Sequence, residues 1–211
     1  MTDAELHDLV RASPTLFHMA ERGAWPAIER HGLLSTSALL DLYGITGAAR
    51  DALEATRRPE GTVLTRPGLP AVTIRDQKPM TDRALERCLT GGMTPPDWYR
   101  LLNGKVFFWL SEARLAKLLG ARPYRDGEHD VLELDTARLV DAYRDRITLS
   151  RINSGSTIRK AAPRGPDTFR AIADYLIRPG RERAVELAVT GGVPDIACFV
   201  IRVTRRRPAP A

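Results

Sequence analysis

The sequence predicts an α+β fold, and three observations carry that prediction. Along its 211 residues the apolar pattern switches repeatedly between a helical and a strand period. Pro, Gly and Asn/Asp breaks separate the segments. Neither GxGxxG after a first strand nor GxxxxGK[ST] is present to signal a doubly wound parallel sheet. About six or seven strands with interleaved short helices are expected, with no internal repeat.

Residues 4–12 read as a short helix, broken by Ser13-Pro14, before the apolar strand LFHMA. A helix over Glu21–His31 follows, with Trp25 and Ile28 at helical spacing and Gly32 where a left-handed cap is wanted. Ser35 or Thr36 caps the next helix, SALLDLYGI. Residues 47–60 form a polar, Arg-rich helix stopped by Pro59. The alternating, Pro/Gly-punctuated stretch 61–80 reads as a hairpin or two short strands. Helices are expected over Thr81–Thr90 and over TPPDWYRLLNG.

Lys105–Leu110, KVFFWL, is the strongest strand signal and should be central. Ser111 caps EARLAKLLGA, and HDVLELDT follows as a strand that sets Val131, Leu132 and Leu134 against acidic positions. ARLVDAYRDR is helical. Residues 147–169 are expected as one long polar loop, a length that marks functional or disordered segments. AVELAVTGGV and ACFVIRVTRR close the chain as strands around a Pro194-Asp195 turn.

Composition is that of an ordinary globular protein: 43% hydrophobic, 27% charged. No apolar run reaches the roughly 18 residues of a membrane helix, and the acidic N-terminus does not read as a secretory signal, so a cytoplasmic protein is expected. Cys88 and Cys198 lie in apolar-periodic segments and read as buried thiols; His7, His18, His31 and His129 show no metal-ligand spacing, so no metal is expected. Net charge is +6. That excess makes nucleic acid a natural partner, although Arg- and Ala-rich composition alone also produces it. The tail 205–211 holds three of the arginines and reads as disordered.

Three segments in order along the chain resemble one pattern. LFHMAERGAWPAIERHGLLS (16–35) resembles the opening of DarT-type DNA-targeting toxins and of tRNA 2′-phosphotransferases. KVFFWLSEARL (105–115) is similar to the aromatic central strand of DarT-like enzymes. RAVELAVTGGVPDI (183–196) resembles the late strand in which those enzymes place a glutamate. The arrangement is also similar to a bacterial domain family of uncharacterised function.

The resemblance implies an ADP-ribosyltransferase-like fold over residues 1–204, with two small, mostly antiparallel sheets forming a central NAD⁺ cleft and peripheral helices. It implies NAD⁺ as co-substrate and transfer of ADP-ribose to a nucleic-acid base or a protein side chain. The alternatives are an RNA 2′-phosphotransferase and a non-catalytic nucleotide- or partner-binding module. A toxin–antitoxin setting would bring a macrodomain-type antitoxin or hydrolase as partner.

Breaking the nicotinamide–ribose bond develops positive charge that a carboxylate stabilises, which implies Glu186 as the catalytic group. By strand pattern alone Glu186 reads equally as a solvent-facing residue. His18 is implied to donate a hydrogen bond to a ribose hydroxyl or the nicotinamide amide; a lone histidine is more often a satisfied core residue. Ser35 and Thr36 are implied at the same ligand, with Phe108 or Trp109 nearest the nicotinamide and Arg75 and Arg114 on the pyrophosphate. Where DarT-like proteins carry Asn-Pro before the arginine, Ser111-Glu112-Ala113 stands here. The loop 150–165 offers Arg151, Asn153, Ser154 and Arg159 for an acceptor, or is simply solvated. Ser154 and Thr157 have no general base beside them in any local motif.

Overall fold

The structure is a computed structural model and describes residues 1–158, 161–177 and 183–207. The first half contains α1 (Asp3–Ala12), β1 (Thr15–Glu21), α2 (Trp25–His31), β2 (Leu33–Leu34), α3 (Thr36–Tyr43), α4 (Gly47–Glu54), β3 (Thr62–Arg66), β4 (Leu69–Ile74), α5 (Asp82–Glu86) and α6 (Pro95–Asn103). The second contains β5 (Lys105–Trp109), α7 (Glu112–Leu119), β6 (His129–Asp135), α8 (Thr136–Tyr143), β7 (Ile147–Ser150), β8 (Arg170–Ala171), β9 (Glu186–Thr190), β10 (Gly192–Val193) and β11 (Val200–Arg206).

Capping chemistry sets several boundaries. The Ser35 and Ser111 hydroxyls accept the Ala38 and Arg114 amides at the starts of α3 and α7, satisfying N–H groups that a helix start leaves without partners. Gly32 ends α2 at φ +87°, and a Cβ there would meet the Pro194 backbone at 2.5 Å. Glycine is required because the β2–β10 ribbon passes that close.

Several elements differ from expectation. The helix expected over Glu21–His31 starts only at Trp25, because Glu21 still belongs to β1 and pairs with His129. The helix expected over 47–60 ends at Glu54, and Arg58 turns inward, its guanidinium donating to Asn103 Oδ1 at 2.9 Å. The helix expected over Thr81–Thr90 is only Asp82–Glu86, because Leu89 and Thr90 leave it to bridge the backbone of Arg164. The expected 147–169 loop begins with a buried strand, β7, paired along β9. Four residues are too few for alternation to register, and the partner that makes them a strand is remote in sequence. Cys88 is buried, but Cys198 is exposed in a short 3₁₀ turn, which corrects its reading as a buried thiol.

The tail reading is corrected for Arg205 to Arg207, whereas 208–211 lie outside the described residues. Strand β11 runs through Arg206, so the ordered domain extends past 204. Arg205, Arg206 and Arg207 pair with Asp130, Glu133 and Glu128 respectively. Three arginines of a segment expected to be disordered are ion-paired along and just before β6.

One antiparallel sheet of seven strands, ordered β11-β6-β1-β5-β9-β7-β8, dominates the structure, beside the ribbons β2–β10 and β3–β4. A single large sheet, itself divided into two halves, stands where two small sheets were expected. Strands β1 and β6 pair along all of β1, and β5 and β9 along all of β5, yet β1 and β5 meet only at Phe17↔Trp109. Beyond that pair the halves part.

Three apolar clusters hold the halves. Leu16, Leu132, Leu134, Phe108 and Leu187 pack under α1 and α8 on one face. On the other, Phe17, Met19 and Val131 pack against Leu115 and Leu119 of α7, while Phe107 and Ala188 pack against Trp98 of α6. The parted strands are therefore braced from both sides.

Candidate functional site

A cavity of about 600 Å³ occupies the parting between β1 and β5, within the range of small-molecule sites. Its lining brings together His18, Ser35, Thr36, Arg75, Trp109, Arg114, Asn153, Ser154 and Glu186, which come from seven separated places in the sequence. Among the described residues six lining cations, Arg22, Arg58, Arg75, Lys105, Arg114 and Lys117, face three carboxylates, Glu21, Asp76 and Glu186. The excess of positive charge suits an anionic ligand.

Glu186 begins β9, opposite Trp109 of β5 and Ser150 of β7. It is only 3% exposed. The Ser154 amide donates to both carboxylate oxygens, at 3.1 and 3.2 Å. Burial pushes the carboxyl up to about 7; hydrogen bonds from Ser154 and the charges of Arg164 and Arg114 oppose that push. Such a group exchanges a proton readily near neutral pH and takes its charged form when a cation enters the cavity.

His18 crosses the parting. Its Nδ1 donates to the Phe107 carbonyl at 2.9 Å, since a carbonyl can only accept. Burial pushes the imidazole down to about 4, against the Phe107 bond and with a contribution from Arg75. The neutral ring therefore keeps its lone pair on Nε2, and toward a ligand hydroxyl it accepts rather than donates. The expectation of a donor is corrected by this tautomer.

The aromatic run divides by strand parity. Phe107 and Trp109 line the cavity, whereas Phe108 is 1% exposed inside the core beneath His18. Phe108 is thus removed from the candidate ligand contacts. Arg75 stays on the cavity wall but also donates to Met19 O at 3.0 Å and lies 4.8 Å over the Tyr124 ring. It fastens the β3–β4 ribbon to β1 while keeping further N–H donors. Ser35 is buried, its Oγ occupied as acceptor in the α3 cap.

The loop after β7 also divides. Asn153 and Ser154 line the cavity, but the Arg151 guanidinium donates to Leu176 O and lies 4.9 Å from the Tyr175 ring, outside that lining. Arg151 is therefore not part of the site as the structure stands, because its cation is taken by an aromatic face elsewhere. Arg159 lies outside the described residues. Ser154 has a carboxylate beside it after all, supplied by tertiary contact with Glu186 rather than by a local motif.

Two residues escaped the sequence reading. Tyr124 lines the cavity and donates to Asp76 Oδ1 at 3.2 Å. Arg164, 2% exposed, donates to Ser154 O at 3.0 Å. Neither sits in a periodic segment, so no local signal marks them. Among the described residues no group of three or more His, Cys, Asp and Glu could hold a metal, and no helix is long and apolar enough to cross a membrane.

Fold and site together define an α+β protein with a split antiparallel sheet and a cation-lined cavity that buries one carboxylate. The chain belongs to a family of unknown function, DUF7002, whose model matches residues 14–200. Comparison with curated proteins gave no match, and comparison with solved structures gave none.

Proposed function

We propose that this protein is an NAD⁺-dependent ADP-ribosyltransferase that uses Glu186 as its catalytic carboxylate. The observation that carries the reading is Glu186 itself: a buried carboxyl, held by a backbone amide on the wall of a cationic cavity that opens where the central sheet parts. The three resembling segments converge on that cavity through His18, Ser35, Trp109, Arg114 and Glu186.

In this reading NAD⁺ supplies an activated ribose whose C1′–N bond breaks, nicotinamide leaving with the bonding electrons. Arg75 and Arg114 are the residues suited to its diphosphate, and Trp109 or Phe107 to its planar ring. His18 Nε2 accepts from a hydroxyl of the ligand. The ionised Glu186 stabilises positive charge at C1′ and accepts the proton of the incoming acceptor as the new bond to C1′ forms. The acceptor is a nucleic-acid base or a protein side chain, and the basic lining favours the former.

Two measurements on the purified chain test this. Calorimetric titration with NAD⁺ is expected to show binding for the wild type and for Glu186→Gln, and nicotinamide release in the presence of single-stranded DNA, RNA or protein is expected only for the wild type. Absence of NAD⁺ binding by the wild type sinks the reading. Binding without release from any acceptor reduces the protein to a nucleotide-binding module.

A further inference from the structure

Glu186 does not hold its position alone. The segment after β7 passes over it, and that segment is tied down at two points. Thr157 N donates to Pro79 O at 2.9 Å. The Arg164 side chain reaches back from ten residues downstream, Nη1 donating to Ser154 O at 3.0 Å and Nε to Ala162 O at 3.2 Å.

The backbone of Arg164 is itself anchored. Its N–H donates to Cys88 O at 2.9 Å and its carbonyl accepts from Thr90 N at 2.8 Å. The next residue is Gly165, where a Cβ would stand 2.8 Å from Thr90 O. Only glycine permits that approach, so the sequence places the base of the guanidinium on the segment joining α5 to α6. The guanidinium lies 5.7 Å from the Trp98 ring and is almost fully buried, an expensive location for a cation.

We propose that Arg164 is the positioning residue of the site: its guanidinium holds the Ser154 peptide so that the Ser154 N–H stays on both oxygens of Glu186. The two peptide groups that flank the Ser154 Cα are thus held at once, the following one at its carbonyl by a cation and the preceding one at its N–H by an anion, in a low-dielectric interior that strengthens both contacts. Arg164 also acts on Glu186 directly through its charge. The other charge acting on Glu186 is Arg114 from α7, while its strand neighbours Trp109 on β5 and Ser150 on β7 carry none. Two consequences follow from the geometry: removing the guanidinium frees the Ser154 amide, and it raises the proton affinity of Glu186.

The inference rests on the transferase reading for its effect on turnover, but not for its test, which uses the substrate-free full chain. The carboxyl carbon of Glu186, assigned by its loss in Glu186→Gln, is titrated by ¹³C NMR in wild type, Arg164→Met and Arg164→Lys, and hydrogen exchange of the Ser154 amide is followed in the same samples. Arg164→Met is expected to raise the Glu186 midpoint by about one pH unit and to speed Ser154 exchange at least about tenfold. Arg164→Lys, which keeps the charge without the fork, is expected to restore most of the midpoint but not the slow exchange. A Met variant with wild-type midpoint and wild-type exchange overturns the proposal. If the Met variant fails to fold, the Lys variant decides: slow exchange retained there overturns it equally. Failure of NAD⁺ binding, by contrast, leaves these readouts untouched and bears only on the transferase reading.

Discussion

Glu133 and Glu186 are both glutamates on central strands, and both are nearly inaccessible, at 6% and 3% exposure. Their chemistry is opposite. Burial pushes Glu133 up, but hydrogen bonds and charge from Arg202 and Arg206, each 2.7 Å away, more than reverse it, and the carboxyl falls below its ordinary 4.5. At Glu186 burial dominates, because its hydrogen bonds come from Ser154 and the cations Arg164 and Arg114 only partly offset the loss of water. Similar exposure therefore yields a charged strut lying shallow under Arg202, itself 62% exposed, on the β6–β11 edge and a deeply set group poised near neutrality in the cavity. What decides is the depth of burial together with direct contact to the charge partners.

The largest expected effect tests the functional half of this contrast. Glu186→Gln keeps the shape and the acceptor for Ser154 N–H but not the charge. Nicotinamide release is expected to fall at least about a hundredfold, with NAD⁺ affinity changed little. A fully active variant removes Glu186 from the mechanism.

Converting the strut into a second poised group breaks the comparison from the other side. The double variant Arg202→Ala/Arg206→Ala removes both contacts of Glu133 and, because Arg202 is 62% exposed, opens the carboxylate to water, so it is expected to destabilise the protein by about 2 kcal/mol at pH 7. Urea denaturation across pH checks it. In the wild type a lowered folded value makes Glu133 stabilising above pH 4.5, a contribution lost as pH falls through its folded value. The cost of the double variant should therefore shrink in acid, and a cost independent of pH argues against a charged Glu133.

Glu186 runs with the reverse sign. Its folded value of about 7 exceeds the unfolded 4.5, so the folded state holds more protons between these values and stability falls as pH rises through that window. Glu186→Gln removes this penalty and is expected to gain on the wild type by up to about 3 kcal/mol between pH 4.5 and 7. His18 opposes it: its folded value of about 4 lies below the ordinary 6.5, so its contribution rises with pH across that interval. Only the difference between variant and wild type isolates Glu186, and a constant difference across pH contradicts its raised value.

The smallest effect sharpens the boundary of the strut. Arg207 and Glu128 pair at 3.0 Å on the exposed rim, past the end of β11. Arg207→Ala is expected to cost under about 1 kcal/mol in thermal melts and to lose even that at high salt.

Local structure was largely legible. Caps at Ser35 and Ser111, the break at Ser13-Pro14, the hairpin within 61–80 and the strands carrying His18, Phe107 and Glu186 all follow from turn chemistry and periodicity within a few residues. Strand β7 was missed because ITLS is made a strand by β9, and Phe108 was misplaced because parity along β5 does not say which face meets the cavity.

The sequence by itself determined which segments are helices and strands and that Glu186 stands on a strand, since these depend on neighbours within a turn or a pleat. Only the tertiary structure decided that β1 and β5 part after one residue pair, that Ser154 lies on Glu186, that Arg164 grips Ser154, and that Arg205, Arg206 and Arg207 are ion-paired in an ordered segment. The reason is electrostatic: the state of a buried charge is set by partners a few ångströms away in space, and the chain brings those partners from positions that carry no mark of it in the sequence.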